Sequence, residues 1–436
     1  MPIHVLIYPC SEGIGQEIYF ALRDRKDVNV YGCNAGQLNT GRFLYKRYIG
    51  NAPDLCKPDF IEYIKHIIHT YEIDAIFPAS DHAQLHFKQH ESTYQPSRII
   101  SSPLHTVMHC IDRNKLYAHL SNIIRVPKVY DYNETPEYPI FIKRILSIHK
   151  NPETFLVNSR NELEALSINN DNYMLTEYMP NDEFVVDCLT DVHGRLQFCA
   201  GRKRAITRAG ISIITETVDH SQFQAFANKI NDHLTFIGAW FFQCKYDDDG
   251  VLCLIDVAPR IAGSMALYRN LGVNFPLLTL YIHFDKPIEI LWMNLHAKCA
   301  KIYHNYLECP AIEYDNVCVD LDETLILADG RVNHRLMGFL YKSLNENKKL
   351  YLITRHRGDV TNTLISHRIP PGLFNTIIHI SNERCNKGDY IPPRSIFIDD
   401  SFRERKRVKN SYPNVYVFDV DALDMLVNAC PPPYNQ

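Results

Sequence analysis

The stretch FFQCKYDDDGVLCLIDVAPRIAGS, residues 241–264, contains two apolar runs separated by a polar turn. Each run has the length and residue types of a β-strand. Between them, DDDGV supplies aspartate and glycine, which accept the positive φ that tight hairpin turns require. The segment therefore predicts an antiparallel hairpin whose second strand carries Asp256 and leads into Arg260.

The residues around this hairpin continue the pattern. Long β runs occur at NYMLTEYM, EFVVDCLT, LQFCAGRKRAI and SIITETV, and two or three helices lie between them. A second hairpin turn falls at DVHGR. These features predict an antiparallel α+β domain over residues 106–305. Charged residues accompany its strands: Lys143 lies near the end of YPIFIKR, Glu177 follows YMLT, and Glu183 follows the turn PND.

The first residues follow a different pattern. IHVLIYP is typical of a buried strand, SEGIG of a turn, and QEIYFALRDR of an amphipathic helix; the alternation repeats through the strand AIFPA and a polar turn with Asp81. Alternating β and α elements predict a small parallel α/β domain over residues 1–105. Gly13 and Gly15 alone are a weak dinucleotide signal, because the three-glycine fingerprint is incomplete.

Composition limits the function classes. A length of 436 residues indicates about two to four domains. The net charge of −4, from 46 basic and 50 acidic residues, gives no sequence-wide attraction to nucleic acid or anionic lipid, so we expect small-molecule substrates. The thirteen cysteines form no CxxC pair, MPIHVLIYP does not resemble a signal peptide, and no apolar run could span a bilayer. We therefore expect a cytoplasmic protein with no membrane partner, and the oligomeric state stays open.

On these residues the chain resembles the ATP-grasp superfamily, in the branch that includes carbamoyl-phosphate synthase and the pyrrolysine-pathway ligase. YPIFIKR is similar to the lysine-bearing strand of that family, TEYMPNDEFVVDCL to its adenine and ribose segment, and residues 241–264 to its metal and phosphate segment. The resemblance covers residues 1 to about 300, because the first domain is similar to the pre-grasp domain of that branch.

The resemblance implies a role for each matching residue. ATP and Mg²⁺ would be the cofactors, with Lys143 on the ATP phosphates, Glu177 at the adenine, Glu183 at the ribose, Gln243 and Asp256 on magnesium, and Arg260 on the transferred phosphoryl group or the substrate. Arg113 or Lys115 would add a further nucleotide contact, and the two remain alternatives. Phosphoryl transfer to a carboxylate requires such cations and a hard-oxygen metal site, because both reactants are anionic.

Two positions depart from the family pattern. Asp256 and Ala258 stand where glutamate and asparagine are common, so one magnesium ligand is missing, and the loop RILSIHKNPETF after Lys143 lacks glycine but offers His149 and Lys150. Either the metal is held differently, with help from Glu216 or Asp247, or this domain has lost its activity.

Past a predicted connector at residues 303–316, the chain alternates strands and helices again, which predicts a third domain over residues 312–436 with a parallel sheet. Polar residues follow four of the predicted strands: Asp320, Asp322 and Thr324 after VCV, Thr354 after YLI, Lys387 past NERCN, and Asp399 with Asp400 after SIFI. A single aspartate after a strand is often only a helix cap. The ordered set instead predicts a ligand site at one edge of the sheet.

This ordered set resembles the haloacid dehalogenase (HAD) superfamily of phosphatases. The resemblance implies Asp320 as nucleophile, Asp322 as proton donor and then base, and Thr354 and Lys387 on the phosphoryl oxygens. It also implies magnesium held by Asp320, the Asp322 carbonyl, and Asp400 or Asp399. The short connections leave no room for an inserted domain, so we expect a capless, Rossmannoid phosphatase domain with an open site.

The leading hypothesis is a bifunctional enzyme. Its ATP-grasp domain joins a small-molecule carboxylate to an amine through an acyl phosphate, forming ADP, and its HAD-like domain removes a phosphate from the substrate or product. One alternative is an ATP-grasp kinase with a phosphatase. The other is a phosphatase attached to a non-catalytic ligand-binding platform, which the missing ligand at Ala258 favours.

Overall fold

The computed structural model describes residues 1–36, 39–134, 136–148, 154–166, 168, 171–208, 211–301, 305–308, 310, 312–382, 384–427 and 429–430. Within these ranges the chain forms four sheets. His149 and Lys150, the predicted cations of the loop after Lys143, lie outside the described residues. No helix in these ranges combines the length and apolar character needed to cross a bilayer.

The N-terminal sheet has five parallel strands in the order β3-β2-β1-β4-β5, as predicted for an α/β domain. Its elements are β1 Ile3–Tyr8, α1 Gly13–Leu22, β2 Val28–Ala35, α2 Gly41–Leu44, β3 Tyr48–Ala52, α3 Phe60–Tyr71, β4 Ala75–Pro78, α4 Asp81–Gln89 and β5 Arg98–Ile99. Val5, Leu6 and Ile7 of β1 are all buried, because the central strand of a covered parallel sheet has no solvent face.

Two helices lead from this sheet into the small sheet, whose antiparallel order is β6-β9-β7-β8. The elements are α5 Leu104–Ile111, α6 Arg113–Leu120, β6 Val129–Tyr130, β7 Ile140–Arg144, β8 Thr154–Val157, α7 Arg160–Ala165 and β9 Tyr173–Glu177. Asp112 fixes the start of α6, since its carboxylate accepts hydrogen bonds from the backbone N–H groups of Asn114 and Lys115.

The central sheet has eight strands in the order β14-β13-β10-β11-β12-β15-β16-β22. Its elements before the C-terminal region are β10 Glu183–Thr190, β11 Leu196–Arg208, β12 Ile211–Thr217, α8 Ser221–His233, β13 Gly238–Tyr246, β14 Leu252–Ala258, α9 Ala266–Asn270, α10 Phe275–His283, β15 Lys298–Lys301 and β16 Asn305–Glu308. The two predicted hairpins are confirmed, and Gly194 and Gly250 in their turns have φ of 78° and 76°.

The predicted connector over residues 303–316 is wrong at Asn305–Glu308, which forms strand β16. This segment pairs antiparallel with β15, and β22 pairs with its other edge. A strand of four residues is too short for its own pattern to identify it, so pairing with neighbours decides its conformation.

The C-terminal sheet has five parallel strands in the order β19-β18-β17-β20-β21. The remaining elements are β17 Asn316–Val319, α11 His334–Asn345, β18 Lys349–Thr354, α12 Val360–Ser366, β19 Thr376–His379, β20 Ser395–Ile398, α13 Phe402–Ser411, β21 Tyr416–Phe418, α14 Asp424–Val427 and β22 Ala429–Cys430. A 3₁₀ turn at Lys387–Tyr390 precedes β20. Every residue of β17 and β20 is buried, as expected for central parallel strands.

Buried polar contacts join the C-terminal region to the rest of the chain. The Arg269 guanidinium lies 2.7 Å from the Glu17 carboxylate and also donates a hydrogen bond of 2.9 Å to the Asp421 carbonyl. Arg25 lies 3.0 Å from Asp419. These contacts hold α1 and the turn after it against the C-terminal sheet.

Candidate functional sites

Lys143 lies on β7, where the small sheet faces β14 of the central sheet. Its ammonium donates hydrogen bonds to the Tyr117 hydroxyl at 2.5 Å and to the Ile255 carbonyl at 3.3 Å. Burial, and then the nearby positive charge of Arg113, lower the pKa of Lys143 to about 7. A bound anion would favour the charged form, so this environment suits a lysine that meets phosphate.

Gln243 and Asp256 are directly opposite each other on β13 and β14, as a shared ligand set requires. The Arg113 guanidinium donates hydrogen bonds to the Asp256 carboxylate at 2.5 Å and to the Arg144 carbonyl at 2.9 Å. The structure therefore brings Arg113 and Lys143 to the same end of the hairpin. Ala258 is opposite Phe241, so this pair offers no side-chain oxygen to a metal.

The two residues that the sequence left as alternatives for a further nucleotide contact have different surroundings. The Lys115 side chain is 56% exposed and lies 3.2 Å from Asp112, away from the contacts of Lys143. Of the two candidate cations, only Arg113 therefore contacts a predicted site residue. Asp247 accepts hydrogen bonds within its own hairpin turn, from the backbone of Asp249 and Val251, and Glu216 lies 4.0 Å from Lys298.

Glu177 and Glu183 stand at the two ends of the segment that connects β9 to β10. The Glu177 carboxylate lies 2.6 Å from the Arg125 guanidinium and accepts a hydrogen bond from the Lys128 backbone at 2.7 Å. Glu183 forms an ion pair with Arg204. Arg125 and Arg204 cannot be predicted as site residues, because nothing in their local sequence distinguishes them from surface arginines.

Arg260 forms an ion pair with Asp81, the first residue of α4 in the N-terminal domain. Its Nη2 atom donates a hydrogen bond of 2.9 Å to Asp81 Oδ2, and its Nε atom donates one of 2.5 Å to Asp81 Oδ1. Gln84, one turn further along α4, donates to the Pro259 carbonyl at 2.6 Å. Any acidic substrate that approaches Arg260 would therefore compete with a bidentate carboxylate already in place.

A second group of charged residues lies at the carboxyl edge of the C-terminal sheet. Asp320 follows β17 directly, Thr354 ends β18, and Asp399 and Asp400 follow β20. Lys387, from the 3₁₀ turn, places its ammonium 2.7 Å from Asp320 Oδ1 and 2.7 Å from Asp399 Oδ2. The predicted residues of four separate segments thus converge at one point, because parallel strands end at the same edge.

The residues at this point are buried. Asp399 and Thr354 have no exposed surface, and Asp320 and Lys387 are nearly inaccessible. Burial, and then the negative charge of Asp320, raise the pKa of Asp399 to about 8. Burial also raises the pKa of Asp320. A cation bound beside these two carboxylates would favour their charged forms.

The donor set fits a hard divalent cation. One carboxylate oxygen each from Asp320, Asp399 and Asp400 lies within 4.8 Å of the others, the one such group of acidic, histidine or cysteine side chains among the described residues. Mg²⁺ prefers oxygen ligands of this kind. Thr324 supports the group, since its hydroxyl donates to Asp400 Oδ1 at 3.2 Å and accepts from the Asp400 backbone at 2.9 Å.

Asp322 lies at the mouth of the same site, with 48% of its side chain exposed. His356 Nδ1 lies 2.9 Å and 3.1 Å from the two oxygens of this carboxylate. The other ring nitrogen of His356 lies 2.8 Å from the Thr363 hydroxyl. The sequence signal for His356 is its position two residues after Thr354, which places it at the same sheet edge.

The comparisons with known proteins concern the first of these two sites. Residues 169–294 match a family model described as ATP-grasp in the biosynthetic pathway with Ter operon. The match contains Glu177, Glu183, Gln243, Asp256 and Arg260, and ends before β17 begins. No curated protein matches the chain in sequence.

Solved structures agree on the fold. The biotin carboxylase domain of Hydrogenobacter thermophilus 2-oxoglutarate carboxylase, in complex with MgADP, ADP and bicarbonate, has a TM-score of 0.57 at 12% identity, over 68% of this chain and 74% of that one. Biotin carboxylase from Campylobacter jejuni, in complex with βγ-ATP, has a TM-score of 0.57 at 15% identity, over 68% and 75%.

N5-carboxyaminoimidazole synthetase from Staphylococcus aureus, complexed with ADP, has a TM-score of 0.57 at 13% identity, over 69% of this chain and 83% of that one. Residues 169–294 thus match an ATP-grasp family model, and the likenesses to solved structures show a mixed α/β, multidomain fold.

Proposed function

We propose that this protein is a bifunctional enzyme with an ADP-forming ATP-grasp ligase centre and a Mg²⁺-dependent phosphatase centre. The ligase centre joins a small-molecule carboxylate to an amine with ATP and Mg²⁺, and the phosphatase centre removes a phosphate from the substrate or product. The proposal retains the divisions 1–105, 106–305 and 312–436 as pre-grasp, ATP-grasp and capless HAD-like domains.

The ligase half rests on the buried cluster beside the β13–β14 hairpin. Lys143 meets the ATP phosphates, Arg113 adds positive charge, and Gln243 with Asp256 provides oxygen ligands for magnesium. Glu177 and Glu183 hold the adenine and ribose, and Arg260 receives the transferred phosphoryl group or the acidic substrate. Positioned cations of this kind lower the barrier to attack between two anions. The ATP-grasp match and the nucleotides bound by the similar structures support this assignment.

The phosphatase half rests on one observation, the 2.7 Å contacts of Lys387 with both Asp320 and Asp399. Lys387 holds the Asp320 carboxylate in a fixed position at the carboxyl edge of the sheet. From there Asp320 attacks phosphorus, the bond to the leaving oxygen breaks, and the phosphoryl group is transferred to Asp320. Asp322 gives its proton to the leaving oxygen and then accepts one from the water that hydrolyses the aspartyl phosphate.

Magnesium fits this site on the chemistry of its donors. Asp320 and Asp400, with Asp399 or the Asp322 carbonyl, would hold it, and the ion would offset the repulsion between carboxylates and phosphate. Lys387 and Thr354 would remain as the protein's own contacts with the phosphoryl oxygens.

The first test separates the two activities. Asp320→Asn protein is incubated with Mg-ATP and pooled carboxylates and amines, and ADP and inorganic phosphate are measured together. Equal release of both supports the ligase, and accumulation of a phosphorylated ligation product supports the coupling to the phosphatase. The absence of any phosphorylated product with a productive substrate pair would overturn the coupling.

A second candidate function follows from two observations. Ala258 offers no oxygen to a metal, and the arginines of the proposed nucleotide site are already paired with carboxylates of the chain. In this version residues 1 to about 300 bind a ligand without turnover, and only the C-terminal centre is catalytic. The distinguishing observation is ADP formation: turnover of ATP that is abolished by Lys143→Ala would exclude the binding platform. ADP formed without matching phosphate in Asp320→Asn protein would instead indicate a kinase.

A further inference from the structure

A lysine from the N-terminal region reaches the C-terminal site. Lys26 lies in the turn between α1 and β2, and its ammonium is 3.6 Å from Asp400 Oδ2 and 3.6 Å from Glu323 Oε2. Asp400 belongs to the acidic group at the carboxyl edge, and Glu323 follows Asp322 in the chain. The mouth of the C-terminal site is therefore bordered by a residue almost 300 positions earlier in the sequence.

The turn that carries Lys26 is fixed on both sides. Arg25 lies 3.0 Å from Asp419, and Asp27 accepts a hydrogen bond of 2.5 Å from the Tyr281 hydroxyl. The backbone of Lys26 is thus held against two other parts of the chain, while its long side chain remains 51% exposed. This combination places a cation at a defined location and leaves the ammonium free to turn toward a ligand.

The contacts of the ammonium are loose. Both distances exceed the length of a direct hydrogen bond, and Lys26 Nζ forms none with the part of the chain that the structure describes. Glu323 Oε2 is buried and likewise accepts no hydrogen bond from described residues. Lys387, in contrast, is engaged at 2.7 Å by two carboxylates. Lys26 is therefore the cation that a second anionic group of a substrate could contact at the mouth of the C-terminal site.

We propose that Lys26 is a specificity-determining residue of the C-terminal site and selects phosphate monoesters whose leaving group carries a further negative charge. This inference rests on the proposed phosphatase function. Because Glu323 follows the proton donor Asp322 in the chain, Lys26 lies next to the segment whose Asp322 side chain would protonate the leaving oxygen. The N-terminal region then supplies a recognition element that a capless site lacks.

The test uses isosteric substrates that differ in charge. Hydrolysis of 2-, 3- and 4-carboxyphenyl phosphate is compared with that of the corresponding carbamoylphenyl phosphates, for wild type, Lys26→Ala, Lys26→Arg and the control Lys65→Ala. Lys65 is a partly exposed lysine of the same N-terminal region, paired with Glu62. The charge preference is the ratio of kcat/KM for the acid to kcat/KM for its amide.

We expect the wild type to prefer the acid of at least one isomer. Lys26→Ala should lower that preference about fivefold, mainly through a higher KM for the acid, as loss of a half-exposed charged contact predicts. Lys26→Arg should retain it, and added salt should weaken it in the wild type but not in Lys26→Ala. A purely structural role for Lys26 would change acid and amide equally.

An acid-to-amide ratio near one in the wild type, or one that Lys26→Ala leaves unchanged for all three isomers, would overturn this inference while leaving the phosphatase intact. Hydrolysis that persists in Asp320→Asn protein, or no hydrolysis of any ester by the wild type, would overturn the proposed phosphatase function itself.

Discussion

The two candidate sites differ in how their charges are balanced. At the nucleotide site the cations already have partners or are poised to lose their charge: Arg113 is bonded to Asp256, Arg260 to Asp81, and burial lowers the pKa of Lys143 to about 7. At the C-terminal site the carboxylates of Asp320, Asp399 and Asp400 crowd together with Lys387.

The difference shows that sequence similarity and geometry identify different sites in this protein. The proposed nucleotide site lies partly within the ATP-grasp match, and its charged side chains are already paired without a ligand. The C-terminal site lies beyond that match, yet its three neighbouring carboxylates are a donor set that suits a divalent cation. The following predictions test whether the two sites are independent, because each variant should silence one and spare the other.

The largest effect is expected for Asp320→Asn. The amide keeps the size of the side chain but is not a nucleophile, so phosphate release from phosphate monoesters should fall about a thousandfold or more. ADP formation at the nucleotide site should persist. Asp285→Asn, at an exposed carboxylate beside Arg98, is the matched control and should leave both activities unchanged. Equal loss of both activities in Asp320→Asn would show that the sites are not independent.

The reciprocal variant is Lys143→Met, which keeps an unbranched apolar stem in the buried position and removes the charge. ATP-dependent ADP formation should fall about a hundredfold, as expected for a lost cation at the transferred phosphoryl group. Hydrolysis of phosphate monoesters should be unaffected. Lys229→Met, at an exposed lysine of α8, serves as the control. Full ADP formation in Lys143→Met would contradict the assigned role.

Much of the geometry of these two sites could be predicted from the local sequence. The hairpin at residues 241–260 and the strand ends at Asp320, Thr354 and Asp399 follow from apolar runs that stop at polar residues. Parallel topology then brings the strand ends together without any further information. Lys387 lies in a 3₁₀ turn before β20 and contacts Asp320 and Asp399 at this edge.

The remaining contacts depend on how distant parts of the chain pack. Asp81 was noted only as a turn residue, and its pairing with Arg260 requires α4 to lie against the end of β14. Lys26 reaches Asp400 because the turn after α1 lies against the C-terminal region, where Arg25 pairs with Asp419. No periodicity or spacing encodes such contacts, since they arise from tertiary packing between separate sheets.

A smaller effect on the C-terminal site alone is expected for His356→Ala. His356 positions Asp322 through contacts of 2.9 Å and 3.1 Å, so its removal should lower kcat about tenfold with little change in KM. The loss should be greater for alkyl phosphates than for aryl phosphates, because a poor leaving group depends more on the proton from Asp322.

His367→Ala is the control and should behave as wild type. The His367 ring lies within hydrogen-bond distance of Ser366 and of the Thr363 carbonyl, both in α12. An equal loss for good and poor leaving groups in His356→Ala would indicate a general structural defect instead of a positioning role.

An effect of similar size should be the pH dependence of nucleotide binding. Lys143 has a pKa of about 7 in the free protein, so it is largely charged at pH 6 and largely neutral at pH 9. Bound phosphate favours the charged form, so nucleotide binding takes up a proton and the affinity falls as pH rises. Between pH 7.5 and pH 9, where the phosphates of ADP are fully ionised, the Kd for ADP measured by calorimetry should rise about tenfold. Lys143→Arg keeps its charge throughout this range and should remove the dependence. A Kd that is equally pH-dependent in Lys143→Arg would assign the titration to another group.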